Sequence, residues 1–160
     1  MKHQTTLDPT DRQLLDAMQT DSSISNAELA RRVQLSPPAV HARLKRLRDE
    51  GYIQTTVSLL DPERLGYDML CFIQVSLQVH QPEAVQAFRE QVAQMPEVLE
   101  CYHVTGSIDY LLKVLIRDKG DLQRFLMEGL TPIPGIARLQ TSIVLAEIKS
   151  TTVIPLDTET

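Results

Sequence analysis

The side chains most suited to chemistry lie close together between residues 31 and 48. This stretch carries six arginines and lysines and no aspartate or glutamate. The six, called the basic cluster below, are Arg31, Arg32, Arg43, Lys45, Arg46 and Arg48. The whole chain has a formal net charge of −5, so its positive charge is concentrated in this segment. Such a segment indicates a polyanionic partner, although charge alone leaves open a solvated basic helix without any partner.

Capping residues around the basic cluster predict two helices joined by a tight turn. Ser25 and Glu28 have the spacing of a capping box, so a helix should begin at Ser25. Ser36 should cap a second helix that has Pro37 at its first position and ends near Gly51. Because the turn between the helices is only three residues long, they must cross sharply. This is the helix-turn-helix geometry, in which the second helix enters the major groove of DNA.

The apolar pattern of the second helix predicts which of its side chains face DNA. Val40, Leu44 and Leu47 recur at helical spacing and form the buried stripe. The opposite face, with its cap and flanking positions, gives the predicted DNA contacts: Ser36, Pro38, Ala39, His41, Ala42, Lys45 and Arg46. We expect the other four members of the basic cluster to contact phosphate or to support the fold.

A second candidate site is a short loop in the C-terminal half of the chain. The four residues from Gly106 to Asp109 join two predicted strands, and one interpretation is a plain hairpin turn. The other is an amino-acid site in which Asp109 pairs with the ammonium, while the Thr105 hydroxyl and nearby backbone amides bind the carboxylate. The predicted effector-binding residues are Thr105, Gly106, Ser107, Asp109 and Tyr110.

Two domains are expected to position these sites. A first helix should begin near Asp8, and with the two later helices it should enclose one small core. Residues 52–60 read as an extended strand, and residues 61–66 as a linker. We therefore assign residues 1–60 to a winged-helix-like helix-turn-helix domain, residues 61–66 to the linker and residues 67–160 to a C-terminal domain.

In the C-terminal domain the apolar period changes from 3.6 to 2. Strands are predicted over residues 71–79, 98–105, 110–117 and 136–149, with one helix from Pro82 and another capped by Asp121. This order is the ferredoxin-like βαββαβ pattern, so the fold class is α+β. Both helices should cover one face of the sheet. The uncovered face predicts self-association, most simply as a dimer.

A weak internal repeat supports this order of elements. Four positions recur at an offset of 38 residues: Phe88, Met95, Pro96 and Val98 as Leu126, Ile133, Pro134 and Ile136. Two copies of one strand-helix-strand unit would produce such a repeat.

Composition and spacing exclude several classes of function. No Ser-His-Asp arrangement, metal-ligand spacing or glycine-rich phosphate loop occurs, so we expect no enzyme activity, no cofactor and no metal. Cys71 and Cys101 are expected to be two buried, reduced thiols. The sequence contains neither a membrane-spanning stretch nor a signal peptide, which predicts a cytoplasmic protein without a membrane partner.

Taken together in order and spacing, short stretches of the chain resemble the Lrp/AsnC family of transcription factors from residue 7 to about 155. The stretches are Leu-Asp-x-x-Asp-x-x-Leu-Leu (7–15), Glu-Leu-Ala (28–30), Leu-Ser (35–36), Arg-Leu-Lys-Arg-Leu (43–47), Gly-Tyr-Ile (51–53), Leu-Asp-Pro (60–62), Val-Thr-Gly-x-x-Asp-Tyr-Leu (104–111) and Pro-Gly-Ile (134–136). One departure stands out: the family usually has Gly before Leu-Ser of the turn, where this chain has Gln34.

The resemblance implies a helix-turn-helix followed by a ferredoxin-like domain that dimerises and often binds amino acids. It also implies assembly into tetramers or octamers, binding near promoters, and an effector loop at a contact between dimers. The predicted function is therefore a regulator that binds double-stranded promoter DNA and responds to a small molecule, expected to be an amino acid. The alternatives are a ligand-sensing oligomer whose helical domain binds protein, and a small enzyme on the ferredoxin-like scaffold.

Overall fold

Three capped helices build the N-terminal part of the fold. In the computed structural model, which describes residues 7–78 and 81–156, α1 spans Pro9–Thr20, α2 spans Asn26–Val33 and α3 spans Pro37–Asp49. Each helix begins where its cap predicts, because a side-chain oxygen of the preceding residue accepts a backbone N–H of the first turn. The caps are Asp8, Ser25 and Ser36.

The three helices enclose one apolar core. Its buried members are Leu14, Leu29, Ala30, Val40, Leu44 and Leu47. All three positions of the stripe predicted for α3 are among them, so the opposite side of α3 is left toward solvent. The predicted strand over residues 52–60 is wrong, since these described residues pair with no strand. A 3₁₀ turn at Glu63–Leu65 follows, closed by Gly66 in the left-handed region.

A four-stranded antiparallel sheet forms the C-terminal part. Its strands are β1 (Met69–Leu77), β2 (Val98–His103), β3 (Tyr110–Ile116) and β4 (Ile136–Ile143). Their order in the sheet is β2-β3-β1-β4. Within the described residues all four strands end earlier than predicted, so the loop between β2 and β3 covers residues 104–109. Val79, the last apolar position of the predicted first strand, lies outside the described residues.

Two helices pack on one face of this sheet. The helix α4 spans Pro82–Val92, and α5 spans Lys119–Arg124 before continuing as a π-helical turn over Phe125–Leu130. The predicted cap of α5 at Asp121 is wrong. Asp118 caps this helix, because its Oδ1 accepts the Asp121 N–H at 2.9 Å.

The sheet and these helices share a second core, which confirms the α+β, ferredoxin-like fold. Alternate residues of β1 and β3 are buried against α4 and α5, from Cys71 to Leu77 and from Tyr110 to Ile116. The intervening residues form the face without helices, called the open face below. Its half-buried central members are Phe72, Gln74, Ser76, Leu111, Lys113 and Leu115.

The chain divides into two compact units. One comprises the residues up to Leu59 together with those from Lys149 on, and the other is Leu60–Ile148. Within the first unit, the side-chain amide of Gln19 binds both backbone groups of Ile154, at 2.8 and 2.9 Å. The predicted C-terminal domain, 67–160, instead includes this tail. None of the helices in the described part of the chain is long and apolar enough to cross a membrane.

The two cysteines differ in exposure. Cys71 is fully buried in β1, whereas Cys101 in the edge strand β2 is exposed. The prediction of two buried thiols is therefore wrong for Cys101, which lies in the edge strand of the described sheet, where packing against the helices is incomplete. Burial raises the pKa of the Cys71 thiol above its ordinary value, so this thiol remains protonated near neutral pH.

Candidate nucleic-acid interface and effector site

The predicted DNA-facing residues lie on the solvent side of α3. Five of them are exposed: Ser36, Pro38, His41, Ala42 and Lys45. Ala39 and Arg46 are half-buried. The Ser36 hydroxyl accepts the Ala39 N–H at 3.4 Å, and two prolines stiffen the first turn. The helix therefore presents a pre-formed, largely apolar N-terminal turn next to longer polar and basic side chains.

The turn before α3 contains a strained residue. Gln34 adopts φ 55° and ψ 41°, and no other non-glycine among the described residues has positive φ. Its conformation lets the Leu35 N–H donate to the Ala30 carbonyl at 2.9 Å, which ends α2. A side chain in this left-handed region costs about 1 kcal/mol relative to glycine. The chain therefore keeps the helix-turn-helix geometry with Gln34 in place of glycine, and the strain lowers its stability.

A buried carboxylate anchors α3 to α1. Asp11 is 1% exposed, and its two oxygens accept from Arg43 at 2.9 Å and from Arg46 at 2.5 Å. Arg43 also donates to Asp8 at 2.5 Å, and Asp8 in turn accepts the Asp11 N–H at 2.7 Å. The sequence did not predict this network, because its partners are more than thirty residues apart. Its effect is to fix how the exposed side of α3 is presented.

These contacts shift the pKa of several groups. The hydrogen bond from Arg43 holds the pKa of Asp8 below its ordinary value of 3.8. The hydrogen bonds to Asp8 and Asp11 raise the pKa of Arg43, and Asp11 does the same for Arg46. Both guanidinium groups therefore remain charged at every accessible pH.

Five members of the basic cluster pair with acids that lie outside residues 31–48. Arg31 and Arg32 pair with Glu28, and Lys45 pairs with Asp49 at 2.8 Å. Residues 7–60 contain seven basic and seven acidic residues, so the positive charge of the basic cluster is balanced within this part of the chain. The pairs of Glu28 and of Asp49 are exposed and weak, and phosphate can displace these acids.

The effector loop, residues 104–109, is bound to the end of β1 through Asp109. The Asp109 N–H donates to the Val75 carbonyl at 2.9 Å, and its Oδ2 accepts the Leu77 N–H at 2.7 Å. Gly106 has φ +126°, and a Cβ placed there would meet no atom within 4 Å. Thr105, Gly106 and Ser107 are exposed. The loop is thus a strand connection with an anchored acid and three accessible residues.

Tyr110 does not lie with these residues. Its side chain is 2% exposed in the core on the helix side of the sheet, with its ring 4.6 Å from that of Phe88. The Tyr110 hydroxyl accepts from Nε of Arg89 at 3.1 Å. The His103 ring stacks on the Tyr110 ring, with 5.0 Å between the two ring centres. Tyr110 is therefore a core residue, and its side chain is not accessible beside the effector loop.

A polar pocket of about 90 Å³ lies where the effector loop meets the open face. Its lining residues are Gln74, Ser76, Ser107, Ile108, Arg138 and Gln140. Of these, the sequence predicted only Ser107. The alternation of polar residues along β1 and β4 could have indicated the other lining residues from these strands. Their register, which sets Gln74 opposite Gln140 and Ser76 opposite Arg138, was not visible in the sequence.

Comparisons with known proteins identify the family of both parts of the chain. Residues 70–154 match the model of the Lrp/AsnC ligand binding domain, and residues 7–54 match a winged helix-turn-helix DNA-binding model. The chain is 36% identical over 151 residues to the transcriptional regulator AzlB of Bacillus subtilis, covering 94% of this chain and 96% of the relative. It is 37% identical over 143 residues to the leucine-responsive regulatory protein of Klebsiella pneumoniae, covering 89% and 87%.

Solved structures are similar over nearly the full chain. A transcriptional regulator from Neisseria meningitidis in complex with L-Met superposes with a TM-score of 0.92 at 38% identity, covering 95% of this chain and 98% of that one. AsnC of E. coli superposes with a TM-score of 0.87 at 29% identity, covering 94% and 100%.

Proposed function

Because this chain belongs to the Lrp/AsnC family of transcriptional regulators, we propose that α3 contacts promoter DNA and that the effector loop binds an amino acid. The protein is a DNA-binding regulator with a helix-turn-helix and a ligand-binding domain. The observation that carries the proposal is the solvent side of α3. There the capped first turn and the exposed basic side chains of this helix lie opposite the stripe that packs into the three-helix core. We further propose a cytoplasmic location and no enzyme activity.

In the proposed DNA complex, the exposed residues of α3 lie in the major groove. Lys45 is long enough to reach a guanine edge or a phosphate, and Ala42 and Pro38 can approach thymine methyl groups. Arg46 and Arg43 act mainly by holding α3 against α1, since both bind Asp11. Arg48 is exposed and can contact the phosphate backbone of the DNA.

The proposed effector is an amino acid bound beside Thr105, Gly106, Ser107 and Asp109. The Neisseria structure is a complex with L-Met, and several relatives are named leucine-responsive regulatory proteins. L-methionine and L-leucine are therefore the first ligands to test. Asp109 would face the ammonium, because an ammonium without a charge partner is costly to bury.

We also propose that the protein self-associates through its open face. Phe72, Leu111 and Leu115 are half-buried there, although no helix in the described part of the chain covers them. A second copy packed in a two-fold arrangement would remove this apolar area from water. Dimers can then combine into tetramers or octamers.

The test is binding of the purified full chain to fragments of its own genome, sequenced after capture, with and without L-methionine or L-leucine. We expect a limited set of promoter fragments whose occupancy changes with one amino acid. Asp109→Asn should bind the same fragments without responding. The control is Asp68→Asn, an exposed acid just before β1 and outside the effector loop, which should respond normally. Capture of no specific duplex would contradict the DNA-binding role, and an identical response by Asp109→Asn would place the effector elsewhere.

A further inference from the structure

The pocket beside the effector loop contains an arginine that has no acidic partner among the residues the structure describes. Arg138 lies in β4, and its Nη2 donates to Oε1 of Gln140 at 3.3 Å. Across residues 7–78 and 81–156, no carboxylate forms an ion pair with it. This differs from Arg43 and Arg46, whose guanidinium groups bind carboxylates of α1. A guanidinium group that has no carboxylate partner is well suited to bind the carboxylate or another oxyanion of a ligand.

The other lining groups complete a small oxyanion site. The hydroxyls of Ser76 and Ser107 and the amide of Gln74 are further donors around the same space. Ile108 supplies one apolar wall. A pocket of about 90 Å³ has room for several waters, and hence for a carboxylate group. A longer side chain on the ligand would have to extend out of the pocket.

We propose that Arg138 binds the carboxylate of the amino-acid effector, with the Ser107 hydroxyl as a second donor. The inference rests on the proposed function, since it assigns one end of the ligand that the effector loop would bind. Ser107 belongs both to the pocket and to the loop, two residues before Asp109. With Asp109 facing the ammonium, as proposed above, the two ends of the ligand would be bound by opposite charges from β4 and from the loop.

The test is calorimetric binding of L-methionine and L-leucine, and of their uncharged amides L-methioninamide and L-leucinamide, to the full chain. The wild type should bind at least one acid about 10–100-fold more tightly than its amide, because hydrogen bonds to a charged group are lost in the amide. Arg138→Gln should bind acid and amide alike, at the weaker affinity. Arg138→Lys should restore part of the difference, since it keeps the charge without the planar fork.

Arg64→Gln is the matched control, because it removes the same charge from a residue whose side chain is 87% exposed and outside the pocket. It should leave the preference for the acid unchanged. If Arg138→Gln still prefers the acid as the wild type does, the assignment is overturned while the proposed function stands. If the wild type binds neither acid, the effector part of the proposed function fails and this inference fails with it. Loss of self-association by Arg138→Gln, with ligand preference kept, would instead assign Arg138 to an acid of a second copy.

Discussion

Nη2 of Arg46 lies 2.5 Å from Oδ2 of Asp11, so the exposed helix of the candidate DNA interface is bound to a buried carboxylate of α1. Arg43 binds the other oxygen of the same carboxylate at 2.9 Å. Two cations that a charge count would assign to DNA therefore serve first to orient the helix. Mutations in this network should change the fold as well as the affinity for DNA.

Replacing Asp11 by Asn should destabilise the N-terminal unit. The change leaves Arg43 and Arg46 without their shared anion, and breaking a buried ion pair by removing one partner costs about 3–5 kcal/mol. Both arginine side chains are about one-third exposed, so water reduces the loss, and we expect about 2 kcal/mol. Urea unfolding would measure it. Asp16→Asn, an exposed position of the same helix, is the control and should change the free energy of unfolding by less than about 0.5 kcal/mol.

The pairing of Asp8 with Arg43 should make stability depend on acid pH. Its folded pKa lies below the ordinary 3.8, so its contribution is fully present above that value. The contribution is then lost as the pH falls from 3.8 through the lower folded pKa. Unfolding measured between about pH 2 and 6 should therefore show a flatter acid limb for Asp8→Asn than for the wild type. Parallel acid limbs for the two proteins would show that Asp8 is not stabilised by Arg43.

Replacing Gln34 by Gly should stabilise the protein. Gln34 has φ 55°, a conformation that glycine adopts without strain, so we expect a gain of about 1 kcal/mol in the free energy of unfolding. The control is the same exchange inside a helix. Gln13→Gly in α1 should destabilise by about 0.5–1 kcal/mol, because glycine is a poor helix former. A loss at both positions would mean that the turn is not strained.

A charge on the open face should prevent self-association. Phe72 is half-buried at the centre of that face, and Phe72→Asp would place a carboxylate in the proposed interface. Sedimentation should show a dimer or larger species for the wild type and a folded monomer for the variant. Leu65→Asp, in the exposed 3₁₀ turn, should leave the assembly unchanged. A wild type that is monomeric at micromolar concentration would contradict the proposed interface.

Local signals predicted most of the fold. Asp8, Ser25 and Ser36 cap their helices as expected, and the repeat matched Val98 with Ile136, which prove to be the first residues of β2 and β4. Each of these features depends on residues a few positions apart, where spacing alone defines the geometry.

Features that depend on distant pairing could not be predicted from one sequence. The contact of Arg46 with Asp11 and the position of Arg138 opposite Ser76 both follow from tertiary packing and strand register. Residues 52–60 have strand-forming side chains, yet they lack a neighbouring strand in the described chain. Asp118 and Asp121 are both suitable caps, and the backbone alone decides between them.

The most direct test of the central claim is the DNA affinity of Lys45→Ala, measured by fluorescence anisotropy on a captured promoter fragment across salt concentrations. Arg46→Ala is less suitable, because it would also remove a partner of buried Asp11. If a dimer neutralises about six phosphates, the wild type should show a log–log salt slope near −5. Lys45→Ala should bind about 5–150-fold more weakly if Lys45 reads a base, while Lys119→Ala in α5 should match the wild type. Equal affinity and slope for folded Lys45→Ala and the wild type would contradict the placement of α3 in the groove.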